Sequence, residues 1–415
     1  MIAAGAIALG LTACTSSTSK STPPTSRSAA EACAWPTIAN QRINNIAYPD
    51  THATYWVLSY RLAPGEHLEL RGGFPTARYL SFVTYGPAGG VHDVLTDRDI
   101  VADPRSTNPF READAPRSDP HRYRVQVRPD ASSEANTITA AASALDRVVP
   151  AGTPAIVQPL GSGVAGQSGV VTGTLIYRVY LPASAKDPTG GAGLPAVASV
   201  KRNGARERYP TCAKARKSPT GEAIVRTNGP ATDTPAPAQP TFIRPATNGT
   251  NLYPDPDNVY IATIVHYVPG QLVVVRGRAP TFPNTRAGVQ ITGTEQVRYW
   301  SLCTNEYRKP YPVTACVADE SVPLDANGNY AFVVSTRGER PANATTADGI
   351  TWINWGNTKV NALLLLRHML ASPDFVESAI NLAPGALATS TMGAYAPRGT
   401  YCSVDAFTRG GLAAC

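Results

Sequence analysis

The side chains able to do chemistry fall into a few groups. "DVLTDRDIVADP" places Asp93, Asp97, Asp99 and Asp103 in one turn-rich stretch, and "DESVPLDANGN" repeats the theme with Asp319, Glu320 and Asp325. Carboxylates gathered this way can supply the hard oxygen ligands that calcium takes, with Asp97, Asp99 and Asp103 the first candidates. Two of them facing each other across a sugar would make a glycosidase. Against both readings, turns collect Asp and Asn because these side chains cap nearby backbone amides, and neither stretch has EF-hand spacing. Arg78 and Arg298, in "RYLSF" and "RYWSL", could bind an anionic ligand, as could Arg71 and Arg276. A strand arginine more often braces the fold through a buried carboxylate or carbonyl. Trp352 and Trp355 in "DGITWINWGN" could stack on a sugar or an apolar ligand, or belong to the core. The six histidines, His52, His67, His92, His121, His266 and His368, show no helical metal pair and no H-E-x-x-H. G-x-S-x-G and G-K-[ST] are likewise missing, and the glycines of "LGSGVAGQSGV" read as a Gly-rich loop, not as a G-x-G-x-x-G following a strand, so a serine hydrolase elbow and nucleotide-binding loops are not expected.

The elements that must position these residues come as a repeated paragraph. "YPDTHATYWVLSYRLAPGEHLELRGGFPT" from Tyr48 is answered by "YPDPDNVYIATIVHYVPGQLVVVRGRAPT" from Tyr253. Trp56, Leu58, Tyr60 and Leu62 alternate onto one face, and Ile261, Thr263, Val265 and Tyr267 do the same in the second copy. Pro64-Gly65 and Pro269-Gly270 turn the chain into a second strand, a meander of antiparallel strands. After an insertion in the second copy "RYLSF" answers "RYWSL", and Tyr85, Asp97 and Asp103 answer Tyr307, Asp319 and Asp325. "YRVQVRPD" then answers "YAFVVSTRG", and "TLIYRVYLP" at 174–182 answers "ALLLLRHML" at 362–370. A doubled module is the expectation, with "SPDFVESAINL" as a helix capped by Ser372.

The bulk properties agree. A chain of 415 residues exceeds what one core usually organises, and 37 prolines with 34 glycines suit sheets and turns. The net charge of +7 is spread over a chain only 16% charged, without the dense basic stripe of a nucleic-acid binder. "KRNGARERYPTCAKARK" is the densest basic stretch, either a contact for an anionic envelope polymer or a solvated loop.

"MIAAGAIALGLTAC" is an apolar run too short to span a membrane as an ordinary helix, ending in Leu11-Thr12-Ala13-Cys14. It resembles the lipobox of bacterial lipoproteins, which implies cleavage before Cys14, acylation of that cysteine and a membrane anchor. The chain departs from that pattern in having no Lys or Arg before the apolar run, and a plain secretory signal is the alternative. Residues 15–32 read as a polar tether. The six remaining cysteines suggest disulfides in an exported chain. Fifteen pairings are formally possible; context favours Cys33–Cys212 closing the first module, Cys303–Cys316 stapling a hairpin and Cys402–Cys415 tying down the end.

The expected plan is mainly β, two homologous antiparallel β-sandwich, jelly-roll-like domains at 33–217 and 248–415, joined by a Pro/Thr-rich linker at 218–247. The R-Y-[LW]-S-[FL] strand, the acidic turn after it and the late apolar strand carrying an arginine resemble tandem jelly-roll domains of unknown function. With the lipobox, they resemble uncharacterised lipoproteins of high-GC Gram-positive bacteria. That resemblance implies fold and compartment, and no substrate or catalytic residue. The functional expectation is a non-catalytic binding or scaffold lipoprotein of the cell envelope, engaging a glycan, lipid or protein. The alternative is an extracytoplasmic glycosidase-like hydrolase using the acidic turns. No cofactor other than calcium is suggested.

Overall fold

The computed structural model describes residues 33–111, 121–129, 158–161, 169–212, 216–217, 222, 225–226, 236–246 and 253–415. Cys14, the tether and most of the linker lie outside these. The first ten strands are β1 (Thr37–Ala39), β2 (Ala53–Leu62), β3 (His67–Gly73), β4 (Ala77–Tyr85), β5 (Val91–Thr96), β6 (Arg122–Arg128), β7 (Gln158–Gly161), β8 (Val171–Pro182), β9 (Ala196–Val200) and β10 (Arg206–Arg208). They form one sheet in the order β1-β2-β8-β4-β5 and another in the order β10-β9-β3-β6-β7. Eight more follow: β11 (Asn258–Val265), β12 (Gln271–Arg278), β13 (Tyr299–Glu306), β14 (Val313–Ala318), β15 (Asn329–Ser335), β16 (Thr351–Asn354), β17 (Ala362–Met369) and β18 (Arg398–Ser403). Their sheets run β11-β17-β13-β14 and β16-β15-β12-β18. Pairing is antiparallel except at two edges, where β7 joins β6 and β16 joins β15 in parallel.

Each pair of sheets closes over its own core. Trp56, Leu58, Tyr60 and Leu62 of β2 meet Leu68 and Leu70 of β3 and Val125 and Val127 of β6. In the second sandwich Ile261 and Val265 meet Val273, Val275, Phe332 and Val334. Period-two alternation produces this, placing every second side chain between the sheets. A common detail marks both second sheets. Gly72 lies opposite Tyr123 and Gly277 opposite Tyr330, and each phenol covers the face that the glycine leaves bare. A Cβ on either glycine would come within 2.5 Å of the tyrosine oxygen.

Three disulfides close Cys33–Cys212, Cys303–Cys316 and Cys402–Cys415. Cys303 and Cys316 are direct partners across the β13–β14 hairpin. The last bridge spans a short helix, α1 (Val404–Gly410), capped by Ser403 Oγ accepting from the Ala406 amide.

Three local expectations change. The stretch from Ser372 is a chain of turns with a single 3-10 turn at Ala379–Asn381. Its amides bond back at three-residue intervals, Phe375 to Ser372, Ser378 to Phe375 and Asn381 to Ser378, while Phe375, Ala379 and Leu382 enter the core. The linker ends early, because Phe242 is buried in the second core and Ile243 pairs with Ala262 and Leu387. The late strands align one residue away from the sequence reading. Arg178 stands opposite Tyr55 and Arg367 opposite Tyr260, so Gly173–Leu181 corresponds to Ala362–Leu370. Among the described residues no helix is long and apolar enough to cross a membrane.

Candidate functional site

All nine residues of β4 are buried, although alternation sends only half of them into the first core. Leu80 and Phe82 point inward, while Tyr79, Ser81, Val83 and Tyr85 point away from that core. The outer face is covered by the second sandwich. Tyr79 and Tyr180 share a cluster with Tyr299, Ala318 and Met369, whose strands β13, β14 and β17 present their own outer faces. A strand buried on both sides is the consequence of this back-to-back packing.

The seam between the sandwiches gathers most of the conspicuous ionisable residues, and they meet reciprocally. Arg78, fully buried, donates from Nη1 to Asp319 Oδ1 and Oδ2 at 2.9 and 2.8 Å and from Nη2 to Glu320 at 2.9 Å. In the opposite direction, Arg298 of the second sandwich donates to Asp97 Oδ2 at 3.0 Å and to the Arg78 carbonyl at 2.6 Å. Arg178 lies 3.9 Å from Asp255 and donates to the Tyr253 carbonyl at 3.1 Å. Arg367 lies 3.7 Å from Asp50 and donates to the Tyr48 carbonyl. Each Tyr-Pro-Asp opening therefore reaches across to the arginine of the other sandwich. Tyr48 and Tyr253 share a left-handed backbone, with φ of 56° and 55°.

Each Asp of this motif works in two directions. Asp50 Oδ1 accepts from the His52 amide at 2.9 Å, capping the entry to β2, while Oδ2 accepts from Tyr299 at 2.9 Å and Ser301 at 2.7 Å. Asp255 accepts from the Asp257 amide and from Asn258, and Asp257 accepts from the Tyr79 hydroxyl. The 3-10 turn at Thr285–Ala287 also lies on the seam. Thr285 Oγ1 donates to the carbonyls of Ala77 and Arg78, and Arg286 pairs with Glu320 at 2.9 Å.

Dehydration governs the electrostatics. Burial pushes the Asp97 carboxyl up to about 6 against the opposing pull of Arg298, and Asp319 up to about 6 against Arg78. Burial raises Asp255 despite Arg178, and Asp257 rises further because burial is joined by the negative charge of Asp255. Asp50 is the exception. Burial pushes it up, but His52 and Arg367 together outweigh that and hold it below its usual value.

Arg78 and Arg298 are thus buried braces and face no open ligand site. Trp355 is buried in the second core, its Nε1 donating to the Val360 carbonyl, and Trp352 is half-buried, donating to Ser335 Oγ under Arg340. The two tryptophans form no open platform. Asp97, Asp99 and Asp103 are not among the described residues whose ligand atoms lie close enough to share an ion: Asp97 pairs with Arg298 and Asp99 accepts from Thr96 Oγ1. Among the described residues the one group close enough to share an ion is Asp50, Cys303 and Cys316, and the two cysteines are joined to each other. Arg71 and Arg276 lie outside the seam, bonded to Glu69 and to the Leu412 carbonyl. Sequence reasoning missed Arg178, Arg367, Asp50, Asp255 and Asp257. The repeated Tyr-Pro-Asp was the available signal.

Two shallow clefts open on the second sandwich. One, about 360 Å³, is lined by Arg278, Phe282, Gln296, Leu324 and Tyr395. The other, about 340 Å³, is lined by Tyr267, Arg337, Glu339, Asn357 and Lys359.

The chain matches no protein-family model and no curated protein. Among solved structures it is similar to an uncharacterized protein from Burkholderia cenocepacia, with 13% identity and a TM-score of 0.48 over 90% of this chain and 83% of that one. It is also similar to the VPA0106 protein from Vibrio parahaemolyticus, with 9% identity and a TM-score of 0.41 over 87% of this chain and 92% of that one.

Proposed function

We propose that this is an extracytoplasmic, lipid-anchored envelope protein that works by binding or scaffolding, not by catalysis, and that its two sandwiches arose by duplication of one module. The observation that carries the non-catalytic reading is the seam. Arginine and aspartate pairs that could have formed a reaction site brace one sandwich against the other, out of reach of solvent and substrate. The three disulfides support an oxidising compartment. The reciprocal seam contacts and the matched sheet orders support the duplication.

A partner must then be read from the exposed surface. The cleft at Tyr267 is lined by two cations, Arg337 and Lys359, against one carboxylate, Glu339, and this net positive charge beside an aromatic ring suits an acidic envelope glycan. The test is affinity capture from envelope extract with residues 33–415, comparing the native protein with Arg337→Ala/Lys359→Ala. Glycan retained by the native protein and lost by the variant supports the reading, and no retention by either refutes it. For the anchor, Cys14→Ser should abolish palmitate labelling and release the protein from membranes. Unchanged labelling refutes acylation at Cys14.

A further inference from the structure

We infer that the seam face of the second sandwich is self-complementary, and that a second copy of residues 236–415 can dock there in place of the first sandwich. The argument is reciprocity. Across the seam, Arg78 seeks Asp319 while Arg298 seeks Asp97, and Arg178 seeks Asp255 while Arg367 seeks Asp50. Each sandwich therefore carries both halves of every pair, as a twofold interface requires. In a twofold pair of second sandwiches Arg298 would face Asp319 and Glu320 of the other copy, and Arg367 would face its Asp255. The tyrosine cluster would be rebuilt around Tyr299 and Met369 from both sides.

The first sandwich is a poorer partner for itself. Arg98 follows Asp97 where Glu320 follows Asp319, so Arg78 facing another first sandwich would meet a cation in place of an anion. The same-sign contact should weaken its self-association at least tenfold. The second sandwich is also equipped to survive release. Its two sheets enclose their own core, and both of its disulfides close within it. The Cys33–Cys212 bridge stays within the first sandwich, so no disulfide links the two.

The experiment starts from the folded full chain, with a protease site placed between residues 218 and 235. After cleavage, the halves are separated in mild urea, returned to buffer and weighed by sedimentation equilibrium. Residues 236–415 should run at twice their chain mass at micromolar concentration, and residues 33–217 as a monomer. Asp319→Arg should return the second half to a monomer, and Arg298→Asp/Asp319→Arg should restore the dimer by exchanging both signs. A folded monomer overturns the inference, and so does a dimer indifferent to Asp319→Arg, which would reflect generic stickiness of a bared tyrosine face. Loss of near-ultraviolet circular dichroism on release counts against it equally, because a self-complementary face would have been covered.

Discussion

Arg78→Met isolates the energetics of the seam. Arg78 gives Asp319 two hydrogen bonds and Glu320 one, and its guanidinium lies 4.9 Å from the Phe282 ring centre. Methionine keeps much of the packing and strands Asp319, while Glu320 retains Arg286. Removing one partner of a buried pair costs roughly 3–5 kcal/mol when the other stays charged. Asp319 has an escape, since burial already holds its carboxyl at about 6. That value lies above the unfolded one, so the native state binds the proton more tightly. The stability contributed by Asp319 is full at low pH and falls as pH rises through about 6. Protonating the stranded carboxyl at pH 8, about two units above that value, costs about 3 kcal/mol. At pH 5 the proton is already in place, and the loss shrinks to the missing hydrogen bonds, about 1–2 kcal/mol. Urea unfolding of both proteins at the two pH values, followed by tryptophan fluorescence, should give a destabilisation that is larger at pH 8 by about 2 kcal/mol or more. Arg71→Met, on a side chain 46% exposed, should shift stability by only about 0.5 kcal/mol at either pH. Equal penalties for Arg78→Met at pH 5 and pH 8 would refute the assignment of Asp319 as a desolvated carboxylate.

Three further outcomes are expected. Gly72→Ala and Gly277→Ala should each lower stability by about 1–3 kcal/mol, measured by urea unfolding, because the new methyl meets a buried tyrosine 2.5 Å away; shortening that tyrosine to Phe should recover part of the loss. Replacing both cysteines of Cys33–Cys212, which are 179 residues apart, should cost more than opening either bridge of separation 13, about 5 against about 3 kcal/mol in the chain-entropy treatment; paired unfolding curves decide the order. Burial pushes the His368 imidazole down to about 4, so the unfolded chain takes up that proton first and stability should fall between about 6.5 and 4 as the solution is acidified. His368→Leu should remove about 3 kcal/mol of that slope, read as the difference between the two stability–pH curves.

The sequence made the strands legible where one face is wet. "YWVLSYRL" alternates, and its four inward residues enter the core as the alternation predicts. The cysteine pairs were legible because each sits at the edge of an element it closes. Residues facing a second sandwich gave no such signal. In β4 and β8 almost every position is buried, so alternation no longer separates inside from outside, and Ser81, Tyr85 and Arg178 look like ordinary strand residues. The one-residue slip in aligning the late strands hid the equivalence of Arg178 and Arg367, because apolar residues surround both arginines and tolerate either register. Helix α1 went unread although Ser403, Asp405 and Arg409 carry the cap and both dipole-matching charges; seven residues offer no apolar periodicity to notice.

The seam charges set where the sandwiches meet more than how tightly they hold. Asp97 and Asp319 remain raised with an arginine at hydrogen-bond distance, so dehydration outweighs attraction at both pairs. Apolar residues of similar volume would hold the sandwiches at least as firmly. A seam of tyrosines and aliphatics alone, however, could slide along the strands with little change in buried area. With four arginines in place, a shift of two residues separates each from its carboxylate, and each stranded charge costs roughly 3–5 kcal/mol. The Tyr-Pro-Asp motifs extend that selection to the backbone, since Arg178 and Arg367 also read the carbonyls of Tyr253 and Tyr48 held in a left-handed turn. The geometry favours one relative placement of the two sandwiches by making its neighbours expensive.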